Sequence, residues 1–266
     1  MGYEKRVWDL GRVREVEERH SWKWKPPGKR RKKEKPTEEA VKRNNHRKMV
    51  RQRRMQLEMY FCEDDCYITL TYPKDARPAD MTECQNDWKK LIDKLRRVYR
   101  RNDGTLRWIR NIEKGTKGAW HIHAVLKELP SGSVDKEGCP VHIAKLVQQI
   151  WQKQLKHGRV DTQYLQEDVQ NLAEYITKTP ETSMESGHQV TESNCSASRN
   201  MPLPEPTVKE YGRWKTFQER EIKVPKGWAL VKESVVESTN PYTGFPRREY
   251  RLIRMSGRDC DIVRRC

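Results

Sequence analysis

Two of the seven histidines stand two residues apart, in Trp120-His121-Ile122-His123-Ala124. On a β-strand that spacing sends both imidazoles to one face, roughly 6–7 Å apart, and turns Ile122 and Ala124 to the other. Neutral imidazoles so placed can converge on a divalent ion. The plainer reading is a half-buried or solvent-facing pair on an ordinary strand. Glu113 closes the preceding strand, and a hairpin through 114–118 brings it beside His121. Two imidazoles and one carboxylate suit Mn²⁺ or Mg²⁺ and, less specifically, Zn²⁺. The competing reading makes Glu113 a surface charge beside Lys114. Asn111, on the same strand face, is then the fallback ligand.

A second reactive group lies downstream. Among ten tyrosines, Tyr175 alone has a lysine, Lys178, three residues later in a helical context. A phenol with a pKa of ~10 is a poor nucleophile at neutral pH. A neighbouring ammonium or metal ion favours the phenolate and stabilises charge on an attacked phosphate. Taken alone, a helical tyrosine is more often a core or interface residue.

These groups need a scaffold, and the periodicities supply one. Tyr67-Ile68-Thr69-Leu70-Thr71-Tyr72 alternates and reads as a strand ended by Pro73. A helix follows over about 82–101, with Trp88, Leu91, Ile92, Leu95 and Tyr99 as its apolar stripe and Thr82 as its cap. Strands are expected at 106–113 and 119–126, and a helix at 141–156 that Gly158 ends. A short strand at 159–164 precedes a helix over 167–178, whose stripe is Val169, Leu172 and Ile176. This order predicts an α+β fold, an antiparallel sheet backed by helices. Residues 181–206 read as a linker or mobile loop, and 207–266 as a region built on a β-hairpin. Residues 1–36 read as a basic arm containing at most a short strand near Val7. Residues 37–61 form a basic helix capped by Thr37.

Charge names a class of partner. The 266 residues carry a net charge of +17, and residues 1–60 alone hold 20 Lys+Arg against 9 Asp+Glu. The block Lys29, Arg30, Arg31, Lys32 and Lys33 repels itself and suits a polyanion; Arg47, Arg51 and Arg54 on the following helix suit a phosphate backbone. Trp22 and Trp24, set among lysines, suit stacking on unpaired bases. A solubilising tail is the alternative reading of the arm. No apolar run approaches the ~18 residues of a membrane span, and Met1-Gly2-Tyr3-Glu4-Lys5 opens no secretory signal, so a cytoplasmic protein without a membrane partner is expected. Seven scattered cysteines fit reduced thiols. No G-x-x-x-x-G-K-[ST] motif marks a fused ATP-driven helicase.

Taken together, these motifs resemble a known family. Residues 66–178 are similar to the catalytic domain of HUH endonucleases, in particular rolling-circle replication initiator (Rep) proteins of plasmids and phages. Tyr67–Tyr72 looks like the first motif, Trp120-His121-Ile122-His123 the paired-histidine motif, and Tyr175-Ile176-Thr177-Lys178 the Tyr-x-x-Lys motif. Ser196-Ala197-Ser198-Arg199-Asn200 and the basic arm also resemble replication proteins of Gram-positive elements. The resemblance implies an HUH/Rep-like, ferredoxin-related sheet and nicking of single-stranded origin DNA. It further implies a 5′-phosphotyrosine on Tyr175 and a site where Lys178 assists. With no second tyrosine on the Tyr175 helix, the single-tyrosine form matches better. A host helicase and DNA polymerase are the implied partners. The alternatives are a relaxase or single-strand transposase, a non-catalytic nucleic-acid-binding protein, and a phosphodiesterase that uses water.

Overall fold

A computed structural model of the chain describes residues 2–20, 37–165, 170–183, 189–212, 217, 220–239 and 245–255. Lys29, Arg30, Arg31, Lys32 and Lys33, like Trp22, Trp24 and Val169, lie outside the described residues. The architecture is α+β, with two five-stranded antiparallel sheets and their helices. The chain divides into two compact units, residues 1–49 with 203–266 and residues 50–202. The division falls inside α1 (Glu38–Tyr60), whose first turn holds Glu38 and Glu39 and whose Thr37 hydroxyl accepts the Ala40 N–H at 3.2 Å.

The terminal unit is a sheet of β1 (Tyr3–Asp9), β2 (Val13–His20), β8 (Thr207–Tyr211), β9 (Trp228–Thr239) and β10 (Pro246–Arg254), in the order β8-β1-β2-β10-β9. The β1–β2 hairpin extends the short strand expected near Val7 and takes up the first 20 residues of the expected basic arm. Its charges hid the strands, because they are neutralised in the sheet rather than solvated. The Arg248 guanidinium donates to buried Glu18 at 2.6 and 2.9 Å, and Arg247 lies 2.9 Å from Glu17.

The central unit carries the expected reactive residues. Its sheet runs β6-β3-β5-β4-β7, from β3 (Cys66–Thr71), β4 (Trp108–Gly115), β5 (Trp120–Leu126), β6 (Val160–Tyr164) and β7 (Val190–Ala197). One face takes α2 (Met81–Arg101) and α3 (Ile143–Gln148), the latter continued as a π-helical stretch over Gln149–Gln154. Trp88, Leu91, Ile92, Leu95 and Tyr99 of α2 are all buried, packed with Ile68, Leu70, Ile122 and Trp151. Each such side chain removed from water stabilises by roughly 1.5–3 kcal/mol, enough to lock which face of the helix meets the sheet. The cap of α2 is Asp80, accepting from the Glu83 N–H at 2.9 Å, rather than Thr82.

The other face carries a second, smaller apolar cluster. Leu57 and Phe61 from the end of α1, with Ala173 and Ile176 of α4 (Gln170–Ile176), pack there on Ile109, Val125 and Met201. Two further expectations change. Residues 190–197, read as part of a linker, are the edge strand β7, paired with β4 from Ile109↔Ala197 to Gly115↔Val190. Its Ser, Thr and Asn side chains gave no hydrophobic alternation to read, as befits an edge strand. Gly158 is not the left-handed helix terminator; Lys156 takes that conformation at φ 57°. A Cβ on Gly158 would stand 2.8 Å from the Thr71 carbonyl oxygen, so close strand approach is what demands glycine there.

Candidate active site

Strand register assembles the site. In the β4–β5 pairing Glu113 lies opposite His121 and Asn111 opposite His123; in the β3–β5 pairing Thr71 lies opposite His121 and Thr69 opposite His123. Because side chains alternate, Glu113, His121 and His123 share one face, as the spacing predicted. One ligand atom from each residue lies within 4.8 Å of the other two. The His123 Nε2 to Glu113 Oε1 distance is 2.9 Å. Adjacent donors around an octahedral cation at ~2.1 Å stand about 3.0 Å apart, so this pair already has ligand spacing. Two imidazoles and a carboxylate therefore fit a divalent ion in chemistry and in separation. Glu113 and His123 are buried and His121 is half-buried, which leaves entry from the His121 side.

The expected nucleophile comes to the same face. The Tyr175 ring meets the His123 ring edge-on, with centroids 5.4 Å apart and planes at 86°. Tyr175 is 40% exposed, the accessibility that a group attacking a polymer needs. Burial pushes its phenol above the ordinary value; the charge of Glu113 pushes the same way, and a hydrogen bond from Tyr67 opposes them. Lys178 sits past the end of α4, only 8% exposed, with Nζ over the Tyr175 ring at 5.8 Å from the centroid. The ammonium thus faces the ring of the phenol that the sequence paired with it. Helical periodicity is what makes Tyr175 accessible: Ala173 and Ile176 are fully buried, and Tyr175 projects beside that stripe.

Two residues do more than their sequence signal suggested. Asn111 Nδ2 donates to the Lys178 carbonyl at 3.2 Å, which ties the Tyr-x-x-Lys segment to β4. Tyr67, noted only within a first motif, places its hydroxyl 2.7 Å from His123 Nδ1, and Thr69 Oγ1 lies 3.1 Å from the same nitrogen. Burial drives the Tyr67 phenol far above its ordinary pKa, with the nearby Tyr175 adding to the shift. The alternation of Tyr67, Thr69 and Thr71 was the available signal; that it faces the histidines depends on the β3–β5 register. The Ser196–Asn200 segment also has a structural task. The Ser198 N–H donates to the Trp108 carbonyl at 2.9 Å, and Asn200 Nδ2 to the Leu106 carbonyl at 3.1 Å, which pins the edge of β4.

Of the basic residues on α1, Arg47 is exposed and Arg51 and Arg54 are half-buried. Among the described residues, the Glu113–His121–His123 group is the one cluster able to hold a metal ion, and neither Cys62 nor Cys66 belongs to it. No described helix is long and apolar enough to cross a membrane.

The segment spanning these motifs also has relatives. Residues 65–180 match the family described as Replication-associated protein ORF2/G2P. The match covers β3 to the start of α5 (Pro180–Ser183), including Tyr67, Glu113, both histidines, Tyr175 and Lys178. It supports a replication-associated role, that of a replication initiator (Rep) protein. No curated protein and no solved structure matches the chain.

Proposed function

We propose that the chain is a rolling-circle replication initiator that nicks and rejoins single-stranded origin DNA through a 5′-phosphotyrosine on Tyr175. The observation that carries this reading is the edge-on approach of Tyr175 to His123, 5.4 Å between centroids, on a face that also presents Glu113 and His121. A nucleophile and a cation-holding group must share one phosphate, and this pair is within one phosphate's reach.

The basic segments, Lys29 to Lys33 and Arg47, Arg51 and Arg54, collect the strand by neutralising its phosphates. Glu113, His121 and His123 would hold the cation, Mn²⁺ or Mg²⁺, which when bound neutralises charge on the scissile phosphate. Tyr175 Oη attacks phosphorus in line, its proton being lost as the new P–O bond forms. The bond from phosphorus to the 3′ oxygen breaks, and that oxygen leaves as a protonated 3′ hydroxyl able to prime synthesis. Lys178 holds the phenol side of the site electropositive. The phosphotyrosine retains the ester energy, so rejoining is the same displacement in reverse and needs no ATP. Duplex opening falls to a host helicase and extension to a host polymerase.

The test is incubation of the full chain with single-stranded origin DNA and Mn²⁺, read as a denaturation-resistant adduct located by mass. Tyr175→Phe should abolish the adduct, while His121→Ala and His123→Ala should collapse nicking and leave DNA binding nearly intact. Cleavage by the wild-type chain without any adduct would refute the phosphotyrosine and point to water as nucleophile.

A further inference from the structure

We propose that Tyr67 is a positioning residue that sets the tautomer of His123 and holds the Tyr175 hydroxyl at the metal face. The inference rests on the reading of Glu113, His121 and His123 as ligands, and it assigns work to a residue outside that set.

The argument is a count of hydrogens. Both nitrogens of the His123 ring have partners: Nε2 faces Glu113 Oε1 at 2.9 Å, and Nδ1 faces the Tyr67 hydroxyl at 2.7 Å and Thr69 Oγ1 at 3.1 Å. A carboxylate only accepts, and a neutral imidazole has one N–H. Ligation through Nε2 requires that nitrogen's lone pair, so the ring's one hydrogen then sits on Nδ1, where the Tyr67 and Thr69 oxygens are placed to accept it. Metal-ligating histidines generally owe their tautomer and orientation to such a partner on the second nitrogen.

Because the Tyr67 oxygen accepts from Nδ1, its own O–H is available to the neighbouring phenol. The Tyr175 ring lies edge-on to the Tyr67 ring, 6.0 Å between centroids and 76° between planes. Tyr67 itself is nearly coplanar with His123, at 12° and 6.1 Å. A single side chain on β3 thus contacts both the ligand on β5, through its hydroxyl, and the candidate nucleophile on α4, through its ring. Thr69 Oγ1 can take the Nδ1 hydrogen in its place.

The test uses the full chain and Mn²⁺ alone, with affinity read by titration calorimetry and ion binding by electron paramagnetic resonance. Tyr67→Phe keeps the ring and removes the oxygen; it should weaken Mn²⁺ binding about tenfold, the low end for loss of such a partner. Thr69→Val should weaken it less. At saturating Mn²⁺, adduct formation by Tyr67→Phe should stay slower than wild type, because the Tyr175 contact is still missing. Wild-type Mn²⁺ affinity in Tyr67→Phe overturns the tautomer assignment. Full recovery of the rate at saturating Mn²⁺ overturns the contact to Tyr175. An adduct on Tyr67 in the Tyr175→Phe protein would make Tyr67 a nucleophile and overturn the positioning role. Absence of Mn²⁺ binding by the wild-type chain removes the ligand set and this inference with it. Absence of adduct in a wild-type chain that binds Mn²⁺ refutes only the nicking chemistry.

Discussion

Replacing Asn111 by leucine should slow cleavage without loosening the metal site. Asn111 is fully buried, and its Nδ2 donates to the Lys178 carbonyl at 3.2 Å; among the described residues its buried Oδ1 has no hydrogen-bond partner. Leucine keeps the forked shape of the side chain and removes the amide that donates to the Lys178 carbonyl. The cost is then one buried carbonyl left without its donor, about 1–3 kcal/mol. That carbonyl ends the Tyr175–Lys178 segment, so the loss falls on the placement of Tyr175 and Lys178 rather than on the ligands of β4 and β5. If half of it appears in the barrier, single-turnover adduct formation drops roughly two- to tenfold, since about 1.4 kcal/mol is one decade in rate. The assay pairs that rate with Mn²⁺ affinity and a thermal melt. The expected pattern is a slower rate, unchanged Mn²⁺ affinity and a small drop in midpoint. A wild-type rate, or a rate loss fully explained by weaker Mn²⁺ binding, would refute the idea that Asn111 tethers the segment.

Two further outcomes concern stability. The buried Asp65 carboxylate accepts the Glu128 N–H at 2.6 Å and the Cys62 N–H at 2.8 Å and lies 3.3 Å from Lys127 Nζ. Asp65→Ala strands two backbone donors at about 1–3 kcal/mol each and should lower the midpoint of denaturant unfolding accordingly; an unchanged midpoint would show that water replaces the carboxylate. His157 packs on Trp151, 4.4 Å between centroids, and burial lowers its pKa against the opposing pull of Asp87. Its folded value lies below the unfolded value of ~6.5, so the unfolded chain takes up the proton first. The stability tied to neutral His157 is complete above pH ~6.5 and is lost as pH falls through the folded pKa. Thermal midpoints of the wild-type chain should therefore fall from pH 7.5 to 5, with a shallower fall in His157→Gln; equal slopes would exclude the assignment.

Much of the site was legible in the residues themselves. The i, i+2 histidines needed only the two-residue period of a strand to share a face, and Glu113 needed only a hairpin to join them. The stripe of α2 and the α+β order were equally local facts, carried by large side chains at helical spacing. Other features depended on partners far along the chain. Strands β1 and β2 look like solvated charge until Arg247 and Arg248, some 230 residues away, pair with their glutamates. Strand β7 has no pattern of its own and exists because β4 offers an unpaired edge. Gly158 looked like a helix terminator, and only the Thr71 carbonyl beside it reveals a steric need.

The amino-acid sequence by itself determined which groups were chemically able to act: two imidazoles, a carboxylate, a phenol and a lysine, on elements set by local periodicity. Only the tertiary structure decided that Tyr67 and Thr69 face His123 and that Asn111 holds Lys178, because those meetings depend on register between strands and on where α4 docks. A slip of one residue in the β3–β5 pairing would leave every local pattern intact and turn Tyr67 to the opposite face of the sheet.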